Sequence, residues 1–220
     1  MRYNPSEIVN MGKTIITAHS GCENTPANSE EHILSAIASG AEMIEVDVRM
    51  DADGELYLSH DVPENPKACV PLRRLFELVQ NEKGLHMNLD VKTEGLIESV
   101  MALAGKYLSA DRIVFTGACN SERGLCNRLG AEMWRSMWKG EHIPDGIRDN
   151  IADGSPYLNV YYPMITKEYD ESLRASGGKF SAWTVDTEEM LRHFLSMGIG
   201  NITTRKPVLA LSLRREIQGV

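Results

Sequence analysis

Six residues that can transfer protons, bind metal ions or hold anions lie within or directly after short apolar runs. In chain order they are His19, Glu45, Asp47, His60, Asp90 and Lys92. Two pairs among them have the i,i+2 spacing, which turns both side chains of a pair to the same face of a strand. Polar groups at the ends of buried strands are how α/β proteins build sites. We therefore expect these residues to meet.

The residue types indicate which chemistry such a site can perform. Three carboxylates without a cysteine ligand make a hard oxygen site, which suits Mg²⁺ or Ca²⁺ better than zinc. Two histidines outside that ligand set can act as acid and base near neutral pH, and Lys92 can hold an anion beside the metal. A divalent cation, two histidines and a lysine together indicate a phosphate ester as the substrate.

Each of these residues also has a purely structural interpretation. A histidine at a strand end can simply satisfy hydrogen bonds, and Glu45 and Asp47 can be solvated carboxylates at a sheet edge. Asp90 and Lys92 can form a structural ion pair, and Trp183, near the end of a later apolar run, can belong to the core. Acidic pairs, however, resist burial unless a cation or a proton compensates them. The joint occurrence of all these residues favours a functional site.

The elements that must position these residues alternate along the whole chain. Strands are predicted over 14–19, 42–50, 55–61, 85–92, 112–117, 131–137, 158–163, 180–185 and 200–204. Helices are predicted over 29–40, 71–84, 94–107, 120–129, 144–153, 167–177, 187–197 and 206–217. About eight strand–helix units predict an α/β protein with a closed (β/α)₈ TIM barrel, forming a single domain over 1–220. The alternative is an open doubly wound sheet, although no G-x-G-x-x-G follows the first strand.

Composition limits the partners and the compartment. The 220 residues carry a formal net charge of −8, which argues against a nonspecific nucleic-acid binder but leaves room for one phosphate pocket. Four cysteines without metal-like spacing indicate reduced thiols. The polar amino-terminal segment lacks an apolar leader core, and no apolar run approaches the roughly 18 residues of a membrane span. We expect a cytoplasmic protein with a small-molecule phosphodiester substrate and no stable membrane anchor.

The candidate residues occur in an ordered series of short motifs over about 15–207. The motifs are His19-Ser20-Gly21, "PANS" (26–29), "GAEMIEVDV" (40–48), "RMDADG" (49–54), His60-Asp61, Asp90-Val91-Lys92, "WTV" (183–185) and "TTRKP" (203–207). The series resembles the glycerophosphodiester phosphodiesterases, TIM barrels with the pattern H-R-G, P-E-N-T, G-A-D-x-I-E-x-D-V, x-x-T-x-D-G, H-D, E-x-K, W-T-V and T-D-x-P. The ordered central block is highly specific.

The resemblance implies both an activity and a set of residue roles. His19 and His60 would be the acid–base pair, and Lys92 would contact phosphate. Glu45, Asp47 and Asp90 would hold the Mg²⁺ or Ca²⁺ ion. The implied reaction converts glycerophosphodiesters to glycerol 3-phosphate and an alcohol, directly or through a cyclic phosphate, and Trp183 is expected beside the alcohol or glycerol part. The alternatives are a phospholipase D-like lyase or hydrolase acting on lysolipid head groups and a catalytically reduced barrel that binds phosphate ligands.

Several positions depart from the related pattern. Ser20 and Ala27 stand where the family has Arg and Glu, and Asp90 replaces the usual Glu. Only ten residues, 61–70, lead from the His-Asp motif to the next helix, so the usual capping insertion is largely absent. We expect Arg205 to replace the missing cation, because a barrel closes its last strand against its first. Arg49 is the competing candidate, since it shares the strand parity of the acidic pair.

Overall fold

The structure is a computed structural model that describes residues 13–220. The polar amino-terminal segment, in which no leader is expected, lies mostly outside this range. The strands are β1 (Ile15–Ala18), β2 (Met43–Met50), β3 (Leu56–Leu58), β4 (His86–Val91), β5 (Ile113–Gly117), β6 (Glu132–Met133), β7 (Arg135–Ser136), β8 (Tyr157–Tyr161), β9 (Lys179–Trp183) and β10 (Asn201–Thr204). The α-helices are α1 (Glu30–Ser39), α2 (Leu72–Val79), α3 (Ile97–Ala104), α4 (Arg123–Leu129), α5 (Ile143–Asp153), α6 (Lys167–Ala175), α7 (Glu188–Met197) and α8 (Pro207–Gln218).

The parallel strands close into a barrel. Along the sheet the order is β6-β5-β4-β2-β1-β10-β9-β8-β7, with β3 antiparallel to β2. β6 and β7 are two halves of one strand interrupted at Trp134, whose backbone N–H donates to the Phe115 carbonyl at 3.0 Å. One half pairs with β5 and the other with β8, which joins the two ends of the sheet. The predicted (β/α)₈ barrel is confirmed, and the open-sheet alternative is wrong because no free edge separates β6 from β7.

The loop after the first strand and the helix that follows are set by local capping. The Ser29 hydroxyl accepts a hydrogen bond from the His32 backbone N–H at 3.0 Å, so α1 begins directly after it. The helix ends at Gly40, whose φ of 78° suits a residue without a side chain. Among residues 13–220, no helix has the length and apolar character that crossing a bilayer requires.

The inside of the barrel is polar at mid-height, whereas the apolar core lies between the strands and the helices. Thr17 Oγ1 donates to Asn201 Oδ1 at 2.7 Å, and the Asn201 amide donates to Ser181 Oγ at 2.9 Å. Ser181 Oγ in turn donates to Asn159 Oδ1 at 2.8 Å. Across the barrel, Thr116 Oγ1 donates to an Asn88 oxygen. This hydrogen-bonded layer fixes a polar floor beneath the carboxyl ends of the strands.

Candidate active site

A cavity of about 270 Å³ opens at the carboxyl ends of the barrel strands. Eight of the nine candidate residues line it; Arg49 is not part of this lining. The floor comes from the polar layer and includes Asn88, Thr116, Ser136 and Asn159. The strand exits therefore converge on one cavity, as expected for the catalytic end of a (β/α)₈ barrel.

The three candidate carboxylates form a cluster on one side of this cavity. Asp47 and Asp90 occupy paired positions on the adjacent strands β2 and β4, and Glu45 lies two residues earlier on β2. One oxygen atom from each carboxylate lies within 4.8 Å of the others, close enough for all three to hold one metal ion. The strand register thus brings the three carboxylates together on one side of the cavity.

Lys92 lies within the carboxylate cluster. Its ammonium nitrogen is 2.6 Å from Asp47 Oδ1 and also contacts Asp90 Oδ2. The structural ion pair between Asp90 and Lys92 is therefore present and extends to a second carboxylate. Three ionised carboxylates and one ammonium leave two negative charges, which a divalent cation would neutralise.

Burial and neighbouring charges shift the acid–base equilibria of the cluster in different directions. Burial, together with the Asp47 and Asp90 charges, raises the pKa of Glu45 well above its usual range. Burial also raises the pKa of Asp90. For Asp47, burial is outweighed by the Lys92 ammonium and the Asn28 amide, which lower the pKa. Since Lys92 compensates mainly the two aspartates, Glu45 is the carboxylate that most needs a further positive charge to be ionised.

His19 lies at the end of β1 in a confined position. Its Nδ1 is 2.8 Å from the Ser20 carbonyl oxygen, and its Nε2 is 3.8 Å from Glu45 Oε2. Its side chain is 21% exposed, and burial lowers its pKa. If Nδ1 carries the proton that faces the Ser20 carbonyl, Nε2 presents its lone pair toward the carboxylate cluster. His19 is therefore oriented to accept a proton beside this cluster.

His60 lies on the loop after β3, since that strand ends at Leu58 and is shorter than predicted. Its Nδ1 is 2.9 Å from Asp61 Oδ1, and its side chain is 69% exposed. The Arg49 guanidinium donates two hydrogen bonds to the His60 carbonyl oxygen, at 3.0 and 2.7 Å. Arg49 therefore holds the loop that carries His60, and these contacts direct its guanidinium to the loop backbone.

Asn28 and Ser20 are site residues that the sequence analysis did not assign to the site. The Asn28 amide donates to Asp47 Oδ2 at 2.8 Å, and its Oδ1 accepts from the Asp47 backbone N–H at 3.0 Å. Ser20 Oγ accepts from the Asn28 backbone N–H at 2.8 Å, and the Ser20 N–H donates to Glu45 Oε2 at 2.9 Å. The motif "PANS" (26–29), which contains Asn28, is the sequence feature that could have identified this residue. Ser20 is buried. It positions the Glu45 carboxylate directly and the Asp47 carboxylate through Asn28.

Arg205 and Trp183 border the cavity from the last two strands. The His19 N–H donates to the Thr204 carbonyl oxygen at 2.8 Å, so the loop after β10 lies beside the loop after β1, as predicted. Asp186 accepts hydrogen bonds from the Arg205 backbone N–H and from Nη1, at 2.7 and 2.9 Å. The guanidinium is thus anchored through Nη1, and Arg205 lines the cavity with further N–H donors that have no hydrogen-bond partner among residues 13–220.

A buried histidine behind the site gives a pH-dependent contribution to stability. His32 is fully buried, its Nε2 lies 3.1 Å from the Glu45 carbonyl oxygen, and burial lowers its pKa to about 4. The unfolded chain therefore binds more protons than the folded protein as the pH falls from about 6.5 to 4. From pH 7 to 5, His32 should remove about 2 kcal/mol from the free energy of unfolding.

Urea unfolding at both pH values measures this effect. His32→Gln keeps an N–H donor but does not titrate, so the fall in unfolding free energy between pH 7 and 5 should be smaller than in the wild type by that amount. Equal falls in the two proteins would show that the charging of His32 does not limit stability in acid.

Curated relatives and solved structures are similar to this chain over more than nine-tenths of its length. A glycerophosphodiester phosphodiesterase from Bacillus altitudinis is 23% identical over 244 residues, covering 93% of this chain and 100% of the relative. The crystal structure of a glycerophosphodiester phosphodiesterase from Thermotoga maritima matches with a TM-score of 0.76 at 19% identity, covering 92% of this chain and 99% of that chain. The structure of a phosphodiesterase from Oleispira antarctica, solved with the product sn-glycerol-3-phosphate, matches with a TM-score of 0.77 at 17% identity. It covers 91% of this chain and 96% of that chain. No protein-family model matches the chain.

The fold and the cavity define a (β/α)₈ barrel whose polar and charged groups converge at the carboxyl ends of its strands. The solved structures share this fold over nearly their whole length. Two curated relatives match 93% of this chain over 99% or more of their own length. Six of the eight sequence motifs contribute residues to the cavity lining, the exceptions being "PANS" (26–29) and "RMDADG" (49–54). In sequence, the chain is similar to curated glycerophosphodiester phosphodiesterases.

Proposed function

We propose that the protein hydrolyses glycerophosphodiesters to glycerol 3-phosphate and an alcohol, using a divalent cation and the two histidines of the cavity. The observation that carries this proposal is the arrangement of His19 and His60 around a three-carboxylate cluster in one cavity. Relatives that match 93% of the chain are named for this activity. The four free cysteines suit a reducing compartment, and we place the reaction in the cytoplasm.

The donor set fits a hard divalent cation. Glu45, Asp47 and Asp90 would hold Mg²⁺ or Ca²⁺ through carboxylate oxygens. When bound, the ion would polarise the phosphoryl oxygens and offset their negative charge. Lys92 would share the aspartates with the ion and direct its ammonium to a phosphate oxygen. Asn28 and Ser20 keep the ligands oriented through the hydrogen bonds described above.

The surroundings of the two histidines favour different roles in proton transfer. His19 is confined, so it has room for a small nucleophile such as water and would remove its proton through Nε2. His60 is open to solvent, so it has room for a larger leaving group. The water oxygen would form the new bond to phosphorus, the bond to the alcohol oxygen would break, and His60 would give that oxygen a proton. Attack by a neighbouring hydroxyl of the substrate would use the same pair and give a cyclic phosphate first.

The test is a panel of glycerophosphodiesters assayed for release of glycerol 3-phosphate with Mg²⁺, Ca²⁺ or a chelator. Metal-dependent release of glycerol 3-phosphate supports the proposal. Release of glycerol together with the phosphomonoester of the other alcohol would contradict it. A rate that rises with acyl-chain length on lysolipids would favour the phospholipase D-like alternative.

Arg205 is expected to hold a phosphate oxygen. Charge-assisted hydrogen bonds from a guanidinium contribute about 1.5–3 kcal/mol, so Arg205→Ala should raise KM by about 10–100-fold. Arg205→Lys should lie between the wild type and the alanine variant, because it keeps the charge but loses the fork of donors. Steady-state kinetics on one glycerophosphodiester measures both values.

Arg49→Ala is the matched comparison. Since Arg49 holds the His60 carbonyl, its loss should lower kcat and leave KM nearly unchanged. A rise in KM for Arg49→Ala with none for Arg205→Ala would assign the phosphate contact to Arg49 on β2 instead. Unchanged kinetics in both variants would leave Lys92 and the metal as the phosphate contacts.

A further inference from the structure

A second depression adjoins the catalytic cavity on the far side of His60. This groove has a volume of about 450 Å³ and is bordered by His60 and by residues from the loops after β1 and β3, among them Ala27, Ser29, Asp61, Ala68 and Cys69. His60 lines both the cavity and the groove. The two spaces therefore share His60 as part of their walls.

Two sequence features leave the groove open. The segment 61–70 is only ten residues long and contains a single short 3₁₀ turn, Pro66–Ala68, so little chain is available to cover the depression. Ala27 contributes only a methyl group to the other wall, at a position where the related pattern has a glutamate. Both departures from that pattern thus enlarge the same space beside His60.

The lining of the groove combines polar and apolar groups. Ser59 and the Asp61 carboxylate, which is 93% exposed, supply hydrogen-bonding oxygens near His60. Ala27, Ala68 and Val70 supply small apolar surfaces. A ring-sized polyol has apolar C–H faces and a rim of hydroxyls, which matches both kinds of group. An alkyl chain would cover the polar groups without satisfying their hydrogen bonds.

We propose that this groove binds the alcohol part of the substrate and that it selects diesters of ring-sized polyhydroxylated alcohols, such as cyclitols and sugars. The inference rests on the proposed function, because His60 is there the donor of a proton to the leaving oxygen. The phosphorus is held at the carboxylate cluster, so the alcohol beyond the leaving oxygen extends past His60. The groove is the open space at that point.

Cys69 provides a native chemical handle in the groove. It is partly exposed, whereas Cys22, Cys119 and Cys126 are buried, so thiol reagents should modify Cys69 first. Benzyl methanethiosulfonate would fill the groove, and methyl methanethiosulfonate would add only a small group. The benzyl adduct should lower kcat/KM for glycerophosphoinositol by about tenfold or more and for glycerophosphoglycerol by less than about twofold. Dithiothreitol should restore the wild-type values.

Cys69→Ser is the control for the methanethiosulfonate treatment. Its kcat/KM for each substrate should be the same before and after addition of either reagent. An equal loss on both substrates, or no loss on either, would overturn the groove assignment. Binding is tested apart from catalysis by following iodoacetamide alkylation of Cys69 by intact mass in the presence of Ca²⁺. Glycerophosphoinositol should slow this alkylation several-fold more than glycerophosphoglycerol, and equal rates would overturn the inference. Selective protection without hydrolysis would support the groove while contradicting the proposed reaction.

Discussion

Replacing Asp47 with asparagine is expected to reduce the rate of glycerol 3-phosphate release by about 10³-fold or more. The substitution removes one carboxylate from the proposed metal site and, of the two carboxylates that contact Lys92 within residues 13–220, leaves that of Asp90. A bound cation supplies several kcal/mol of charge stabilisation in the transition state, and each 1.36 kcal/mol changes the rate about tenfold. Wild-type enzyme in EDTA should fall to a similar rate and recover with Mg²⁺ or Ca²⁺.

Asp53→Asn is the matched control for this prediction. Asp53 lies in the turn after β2, outside the cavity lining, and the substitution removes the same charge from the protein. Its activity and its metal dependence should equal those of the wild type. Full activity of the wild type in excess chelator would remove the metal from the mechanism. Isothermal titration with Ca²⁺ would then separate a lost binding site from a bound ion without a catalytic role.

Alanine at His19 or at His60 is expected to lower kcat by about 10²–10⁴-fold on a substrate with an unactivated alcohol. His19 lies beside Glu45 and would lose its role as base, whereas His60 would no longer protonate the leaving oxygen. A p-nitrophenyl ester needs little protonation of its leaving group. With this substrate, the kcat of His60→Ala should therefore return close to the wild-type value, whereas the kcat of His19→Ala should stay low.

His142→Ala serves as the control because His142 is an exposed histidine with an aspartate partner, Asp145, as His60 has Asp61. Its kcat should match the wild type. Circular dichroism and Ca²⁺ titration check that the fold and the metal site persist in the two active-site variants. A near-native kcat for either variant would make that histidine structural, and rescue of His19→Ala instead of His60→Ala would exchange the two roles.

Much of the cavity could be predicted from the sequence because β-strands have a fixed periodicity. The alternation of Glu45 and Asp47 with apolar residues places both on one face, and parallel strands bring Asp90 to the same end of the barrel. The boundaries of α1 at Ser29 and Gly40 follow from local capping preferences, so the sequence predicts them as well. The same periodicity could have predicted Asn88 as a cavity residue, since it lies two residues before Asp90 and faces the same way.

Contacts made by loops could not be predicted in the same way. The bridge from Asn28 to Asp47 depends on a loop whose backbone places Asn28 at a φ of 57°, a conformation that no periodicity encodes. Asp186 and Arg205 meet only because the barrel closes and two loops lie side by side. The segment 131–137 was predicted as one strand, and its division at Trp134 depends on packing inside the barrel. Each of these features is set by tertiary structure.

The divided strand has a consequence for how the molecule opens. One apolar cluster contains Ala18 and runs to Met133, and another contains Ile16 and runs from Met137 onward. The barrel therefore consists of two half-barrels, which share β1 on one side and meet at the short β6–β7 seam on the other. Hydrogen exchange at this seam should report a partial opening that separates the halves without melting them. The carboxylate cluster and both histidines lie in the first half, so such opening would leave the metal ligands together while exposing the floor of the cavity.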